Sequence, residues 1–90
     1  MTVAPTYRRA PAAVWRASRQ FLVAAVPPAP PTRVSGSASL VWAYLSEPVT
    51  IDDLVAQLGV VVDAPAEQLR ANVEALLAQL QPLGLVEIRT

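Results

Sequence analysis

The side chains of this chain that could carry out chemistry are few and scattered. Its 90 residues include no cysteine and no histidine, which removes thiolate nucleophiles, the most common general base and the most common zinc ligand. The remaining Asp, Glu, Arg, Ser and Tyr residues form no recognisable catalytic constellation. The sequence therefore predicts a binding protein with no enzymatic activity, cofactor or metal.

Two groups of residues invite a functional interpretation that a structural one explains better. Asp52 and Asp53 could bind a metal, but consecutive helical residues diverge by about 100° around the axis. Asp53 also follows Thr50 at the spacing of a capping box. Trp42 could stack on a base or cofactor, yet it lies on the apolar stripe of a predicted helix, and Trp15 alternates within a predicted strand. We expect both tryptophans in the core.

The charges cancel overall but are unevenly distributed. Residues 1–46 carry +5 from arginines alone, and residues 47–90 carry −5. Such asymmetry either aids solubility only or attracts an acidic ligand to the first half of the chain. The sequence leaves both explanations open.

The first third of the chain reads as short strands that end in a proline run. Residues 6–9, 13–16 and 21–26 contain β-branched and aromatic residues between turn signals, which predicts three strands, the last two forming a hairpin. Residues 27–31 hold four prolines. We expect this segment to act as a rigid spacer between sheet and helices rather than as a ligand for an aromatic groove.

Residues 34–88 predict three capped helices and a terminal strand. Ser35 or Ser37 can cap the first helix, Thr50 the second and Asp63 the third, with Gly59 and Gly84 as exits in the left-handed conformation. The terminal strand covers residues 85–89. The helices' apolar stripes are Ala38, Val41, Trp42 and Leu45, then Ile51, Leu54, Val55 and Leu58, then Leu69, Val73, Leu76, Leu77 and Leu80.

This order predicts an α+β, winged-helix-like fold: a small N-terminal antiparallel β-sheet followed by three α-helices and a short C-terminal strand. We expect one domain over residues 1–90, with residues 1–5 flexible. Winged helices most often read DNA. The third helix offers Arg70 beside Glu67 and Glu74, which argues against a nucleic-acid partner because acids repel phosphates.

The third predicted strand is apolar on both faces, with no charge to block its edge. If it lies at the edge of its sheet, an extended peptide can pair with it by β-augmentation. If it is central, its hydrogen bonds are already made. Both arrangements fit the sequence.

Three segments resemble the PqqD family of peptide chaperones and recognition domains for ribosomally made, modified peptides. They are Ser35-Gly36-Ser37-Ala38 with Val41, Trp42 and Leu45; Pro48-Val49-Thr50-Ile51 with Leu54 and Leu58; and the helix ending at residues 80–84, followed by Leu85-Val86-Glu87. The resemblance covers most of the chain from about residue 15.

The resemblance implies a three-stranded N-terminal sheet and non-catalytic binding of the leader of a precursor peptide, which is presented to a modifying enzyme such as a radical SAM protein. It places the peptide beside the third strand and against the third helix. From the charge distribution, Arg16 or Arg19 is expected to attract an acidic leader electrostatically. The resemblance and the charge argument together predict these peptide-contact residues: Arg19, Phe21, Leu22, Val23, Ala24, Ala25, Val26, Leu69, Arg70, Val73 and Leu77.

The sequence is also compatible with two alternative functions: a DNA-binding regulator, and a structural dimerisation module that pairs its open strand with a second copy. The longest apolar run, residues 21–28, is too short to cross a bilayer, and the N-terminus lacks the apolar region of a signal peptide. We expect a cytoplasmic protein without a membrane partner.

Overall fold

The computed structural model describes residues 3–18, 20–35 and 38–90. Four strands come first, then three helices and a last strand, so the predicted α+β fold is confirmed. The strands are β1 (Thr6–Arg9), β2 (Val14–Ala17), β3 (Phe21–Ala25), β4 (Thr32–Ser35) and β5 (Val86–Arg89). The helices are α1 (Ala38–Tyr44), α2 (Ile51–Val61) and α3 (Ala66–Leu80), the last followed by a 3-10 turn at Gln81–Leu83.

The strands form two separate antiparallel sheets. One has the order β2-β3-β4, and the other joins β1 to β5. Arg8 lies opposite Glu87 in the β1–β5 pair, and its Nη2 is 2.9 Å from the Glu87 carboxylate. A three-stranded sheet is present, as the resemblance implied, but its members are the second to fourth strands rather than the first three.

The expectation of a proline spacer after β3 is wrong. The Ala29 N–H donates to the Val26 carbonyl at 3.0 Å, so the chain turns back and adds β4 to the sheet. Pro27 and Pro28 suit this turn because proline fixes φ and needs no hydrogen-bond acceptor for a backbone N–H. The proline-rich segment is thus the loop of a second hairpin.

The predicted helices are present, with one boundary corrected. The Asp53 N–H donates to Thr50 Oγ1 at 3.1 Å, which confirms the cap of α2. Gly59 does not end that helix, which continues to Val61. Among the described residues Gly84 alone has a positive φ, of 73°, and it closes the turn after α3 as predicted. Ser37, a candidate cap for α1, lies outside the described residues, as does the side chain of the other candidate, Ser35.

One apolar core joins the three-stranded sheet to the helices. Trp42 is 1% exposed, as predicted, and the apolar stripe of α3 is buried throughout. Trp15 is 43% exposed, so its predicted place in the core is wrong. The physical reason is that β2 is an edge strand whose four residues are all exposed. In the described part of the chain, no helix combines the length and apolarity needed to span a membrane.

Candidate functional site

Strand β3 is central in its sheet, which overturns one of the two arrangements the sequence allowed. Val23 lies opposite Arg16 of β2 on one side and opposite Arg33 of β4 on the other. The backbone hydrogen-bonding groups of β3 are therefore already paired with β2 and β4. A peptide cannot pair with β3, and the sheet can be extended only at β2 or β4.

The hydrogen bonds of Phe21 reveal which backbone groups are vacant at each edge. Its N–H donates to Ser18 Oγ at 3.3 Å, and its carbonyl accepts from the Ser18 N–H at 2.9 Å. Phe21 therefore directs both groups toward β2. Along an antiparallel strand this direction alternates, so Leu22 and Ala24 direct theirs toward β4.

The register then fixes the orientation of β4. Val34 lies opposite Leu22 and Thr32 lies opposite Ala24, so these two residues of β4 bond to β3. Arg33 and Ser35 alternate with them and direct their N–H and carbonyl groups away from the sheet. Since β3 is the partner that the described structure gives β4, the outer side of β4 is a vacant row of donors and acceptors.

Strand β2, at the opposite edge of the sheet, also has vacant backbone groups. Arg16 and Val14 bond to β3, so Trp15 and Ala17 direct their backbone groups outward. The guanidinium carbon of Arg9 lies 4.7 Å from the centre of the Trp15 ring. Within the described residues, the sheet therefore has two vacant edges with different surroundings.

Arg9 ties the β2 edge to α1. Its Nε donates to the Trp42 carbonyl at 2.9 Å, and its Nη2 donates to the Ala43 carbonyl at 3.2 Å. Burial lowers the pKa of Arg9, because a low-dielectric environment disfavours the charged form. Trp15 and Trp42 meet edge to face, with ring centres 6.0 Å apart. This cluster holds β1, β2 and α1 together.

The face of the sheet that carries Val23 is open. A groove of about 390 Å³ lies there, lined mainly by apolar residues of β2 and β3 and by Pro31. Arg16, Val23 and Arg33 form one row across the three strands, so an arginine lies at each end of the row. The guanidinium carbon of Arg33 is 4.3 Å from the centre of the Phe21 ring.

The opposite face is closed by the helices. Leu22 is fully buried and Val34 is 6% exposed, and helix α1 packs against both β3 and β4. The Ser39 hydroxyl of α1 donates to the Phe21 carbonyl at 2.8 Å. A strand added to the sheet would thus have one face toward the helical layer and the other toward the groove.

The sequence-predicted contact residues of β3 separate onto these two faces. Phe21 and Val23 are half-buried and line the groove, whereas Leu22 and Ala24 are in the core. Ala25 is buried as well. Val26 follows the strand, is half-buried and packs against the core. Arg19 lies outside the described residues.

The predicted contact residues of α3 are not gathered on the sheet. Leu69, Val73 and Leu77 are buried in the core. Arg70 pairs with Asp52, and its side-chain hydrogen bond to that carboxylate raises the pKa of Arg70. The recess beside Arg70 is lined by residues of α2, its cap and the N-terminal segment, with none from β3.

Sequence reasoning missed β4, and with it Arg33. Thr32 to Ser35 is only four residues long and follows four prolines, which obscured its alternation. The signal that could have found it is the pair of β-branched residues Thr32 and Val34, two apart after a turn-forming proline run.

Three comparisons with known proteins bear on this arrangement. The sequence profile of the family described as "Coenzyme PQQ synthesis protein D (PqqD)" matches residues 31–86. No curated protein matches the chain significantly. The solved structure of TbiB1 in complex with the TbiA(β) leader peptide is similar in fold, with a TM-score of 0.75 at 15% identity, and the alignment covers 89% of this chain and 94% of TbiB1.

Proposed function

The chain belongs to the PqqD family, and from this premise we propose that it binds the leader of a ribosomally made precursor peptide and presents it to a modifying enzyme. The domain itself makes and breaks no covalent bond. It raises the local concentration of the substrate near the enzyme, which is the physical benefit of tethering.

The observation that carries this proposal is the vacant outer side of β4. Backbone donors and acceptors on an exposed strand are a template for an extended peptide, because main-chain hydrogen bonds do not depend on the sequence that supplies them. Arg33 and Ser35 direct such groups outward. In the proposed complex the leader forms a fourth strand beside β4.

The family match favours β4 over β2 as the edge that receives the leader. The matching residues, 31–86, contain β4 and all three helices but neither β2 nor β3. A function common to the family is therefore better supported at β4. The solved structure of similar fold is named as a complex with a leader peptide, which supports the same class of ligand for this chain.

Charge supports the same ligand. The first acidic residue of the chain is Glu47, so the sheet carries arginines and no carboxylate. A cationic sheet edge attracts an acidic peptide and accelerates its association. The proposed partner enzyme is of the radical SAM type that the resemblance implied, and the cytoplasm, where the ribosome releases the precursor, is the proposed location.

Calorimetric titration of the purified domain with the leader of the precursor peptide encoded beside its gene tests this function. We expect one leader bound per domain, with no heat from the separate core segment of the same precursor. Binding of a labelled DNA duplex instead, with the steep salt dependence of phosphate contacts, would assign the chain to the regulatory alternative. A tight dimer in sedimentation that accepts no leader would assign it to the dimerisation alternative.

A further inference from the structure

We infer that Arg33 determines the specificity of the leader site by selecting an acidic residue at one position of the bound strand. This inference rests on the proposed function, because it assumes that the leader lies beside β4. It adds the chemical class of side chain that the site recognises and the residue that recognises it.

Arg33 combines outward backbone groups with a charged side chain on the open face of the sheet. Its backbone groups point outward, so an antiparallel leader would place one residue directly opposite it. Its side chain belongs to the row of Arg16 and Val23, on the face that bears the groove. The side chain of the opposite leader residue therefore emerges on that same face.

The Arg33 guanidinium contacts an aromatic ring of its own sheet in the domain without peptide. It stacks on the Phe21 ring at 4.3 Å, an arrangement in which the ring quadrupole attracts the cation. Stacking reduces the rotamer entropy lost on binding and leaves the edge of the guanidinium plane available to a carboxylate. In the described part of the chain, no carboxylate forms an ion pair with Arg33.

An acid opposite Arg33 is favoured and a base is disfavoured by the same geometry. A directly facing cross-strand pair of opposite charge is more stable than one of like charge. The difference in binding free energy corresponds to roughly a 2- to 30-fold change in affinity. Because Arg33 is exposed, the preference is expected to weaken as salt rises.

Arg16 provides a matched control. It is exposed and lies in the same row as Arg33 on the same face, but at the β2 edge. The two arginines are separated by two strand spacings, about 10 Å. Reversing either charge changes the net charge of the domain equally, so any difference between the two variants reports position rather than overall charge.

The experiment is a selection of random-sequence peptides by mRNA display against the wild-type domain, Arg33→Glu and Arg16→Glu. Circular dichroism and thermal melting establish that both exposed-site variants are folded. We expect wild type and Arg16→Glu to select peptides enriched in Asp or Glu at one position of an extended motif. Arg33→Glu is expected to select Lys or Arg at that position.

Each other outcome has a distinct meaning. If Arg16→Glu rather than Arg33→Glu changed the selected residue from acidic to basic, the inference would be overturned and the peptide would be placed at β2. Peptide motifs that are identical for all three proteins would overturn the role of Arg33 while leaving leader binding intact. Failure of the wild-type domain to enrich any peptide would count against the proposed function itself.

Discussion

Proline substitution along β4 distinguishes its inward from its outward residues. Thr32 lies opposite Ala24 and directs its N–H into the sheet, whereas the N–H of Arg33 points outward. A proline at either position lacks the backbone N–H. Thr32→Pro should therefore damage the fold, and Arg33→Pro should spare the fold and damage leader binding, although the two positions are adjacent.

The structure sets the size of each effect. Ala24 is 2% exposed, so Thr32→Pro leaves its carbonyl without a donor in a dry environment, which costs about 1–3 kcal/mol of unfolding free energy. Arg33→Pro removes no hydrogen bond within the sheet, and edge strands tolerate proline. It forfeits one hydrogen bond to the leader, worth about 0.5–1.5 kcal/mol, or roughly 2- to 13-fold in affinity.

Alanine variants at the same positions remove the side-chain contribution. Urea denaturation of Thr32→Pro and Thr32→Ala measures how much unfolding free energy is lost with the Thr32 N–H. Calorimetric titration with the leader, comparing Arg33→Pro with Arg33→Ala, measures the affinity term. If the stability loss appeared at Arg33 and not at Thr32, the assignment of inward and outward residues in β4 would be refuted.

Two further predictions concern the framework that positions the sheet. Gly59 lies within α2, where an added Cβ would have ordinary contact with Leu69 at 3.9 Å, so Gly59→Ala should raise the unfolding free energy by about 0.5–1 kcal/mol. Gly84 has a φ of 73°, so Gly84→Ala should lower the unfolding free energy by about 1–2 kcal/mol. Equal signs in urea denaturation would contradict this. Arg9→Met should cost about 1–3 kcal/mol, because it loses two hydrogen bonds to α1 and the stacking on Trp15; a loss below about 0.5 kcal/mol would show that the cluster does not hold β1 to α1.

The helical half of the fold was predictable because its signals are local. Thr50 and Asp53 form a cap by a contact three residues apart, and the apolar stripe of α3 repeats with the period of a helix. Gly59 misled because glycine permits a left-handed exit without requiring one. The helix continues past Gly59 through exposed Val60 and Val61, and the Val62 N–H closes its last turn by donating to the Leu58 carbonyl at 2.8 Å.

The order of strands was not predictable from the same kind of signal. Whether β3 is central depends on β4, which follows a turn of prolines and is only four residues long. The prediction that Trp15 lies in the core failed because strand alternation gives only the face on which a residue lies. It does not show whether the strand is central or at the edge of the sheet. The predicted leader contacts on β3 inherited that error, and the vacant edge lies one strand further along the chain.

The most direct test of the account is amide hydrogen exchange, resolved by NMR, with and without bound leader. If the leader binds beside β4, the amides of Arg33 and Ser35 exchange more slowly in the complex, while those of Trp15 and Ala17 keep their free rates. Protection of Trp15 and Ala17 with unchanged exchange at Arg33 and Ser35 would contradict leader binding at β4.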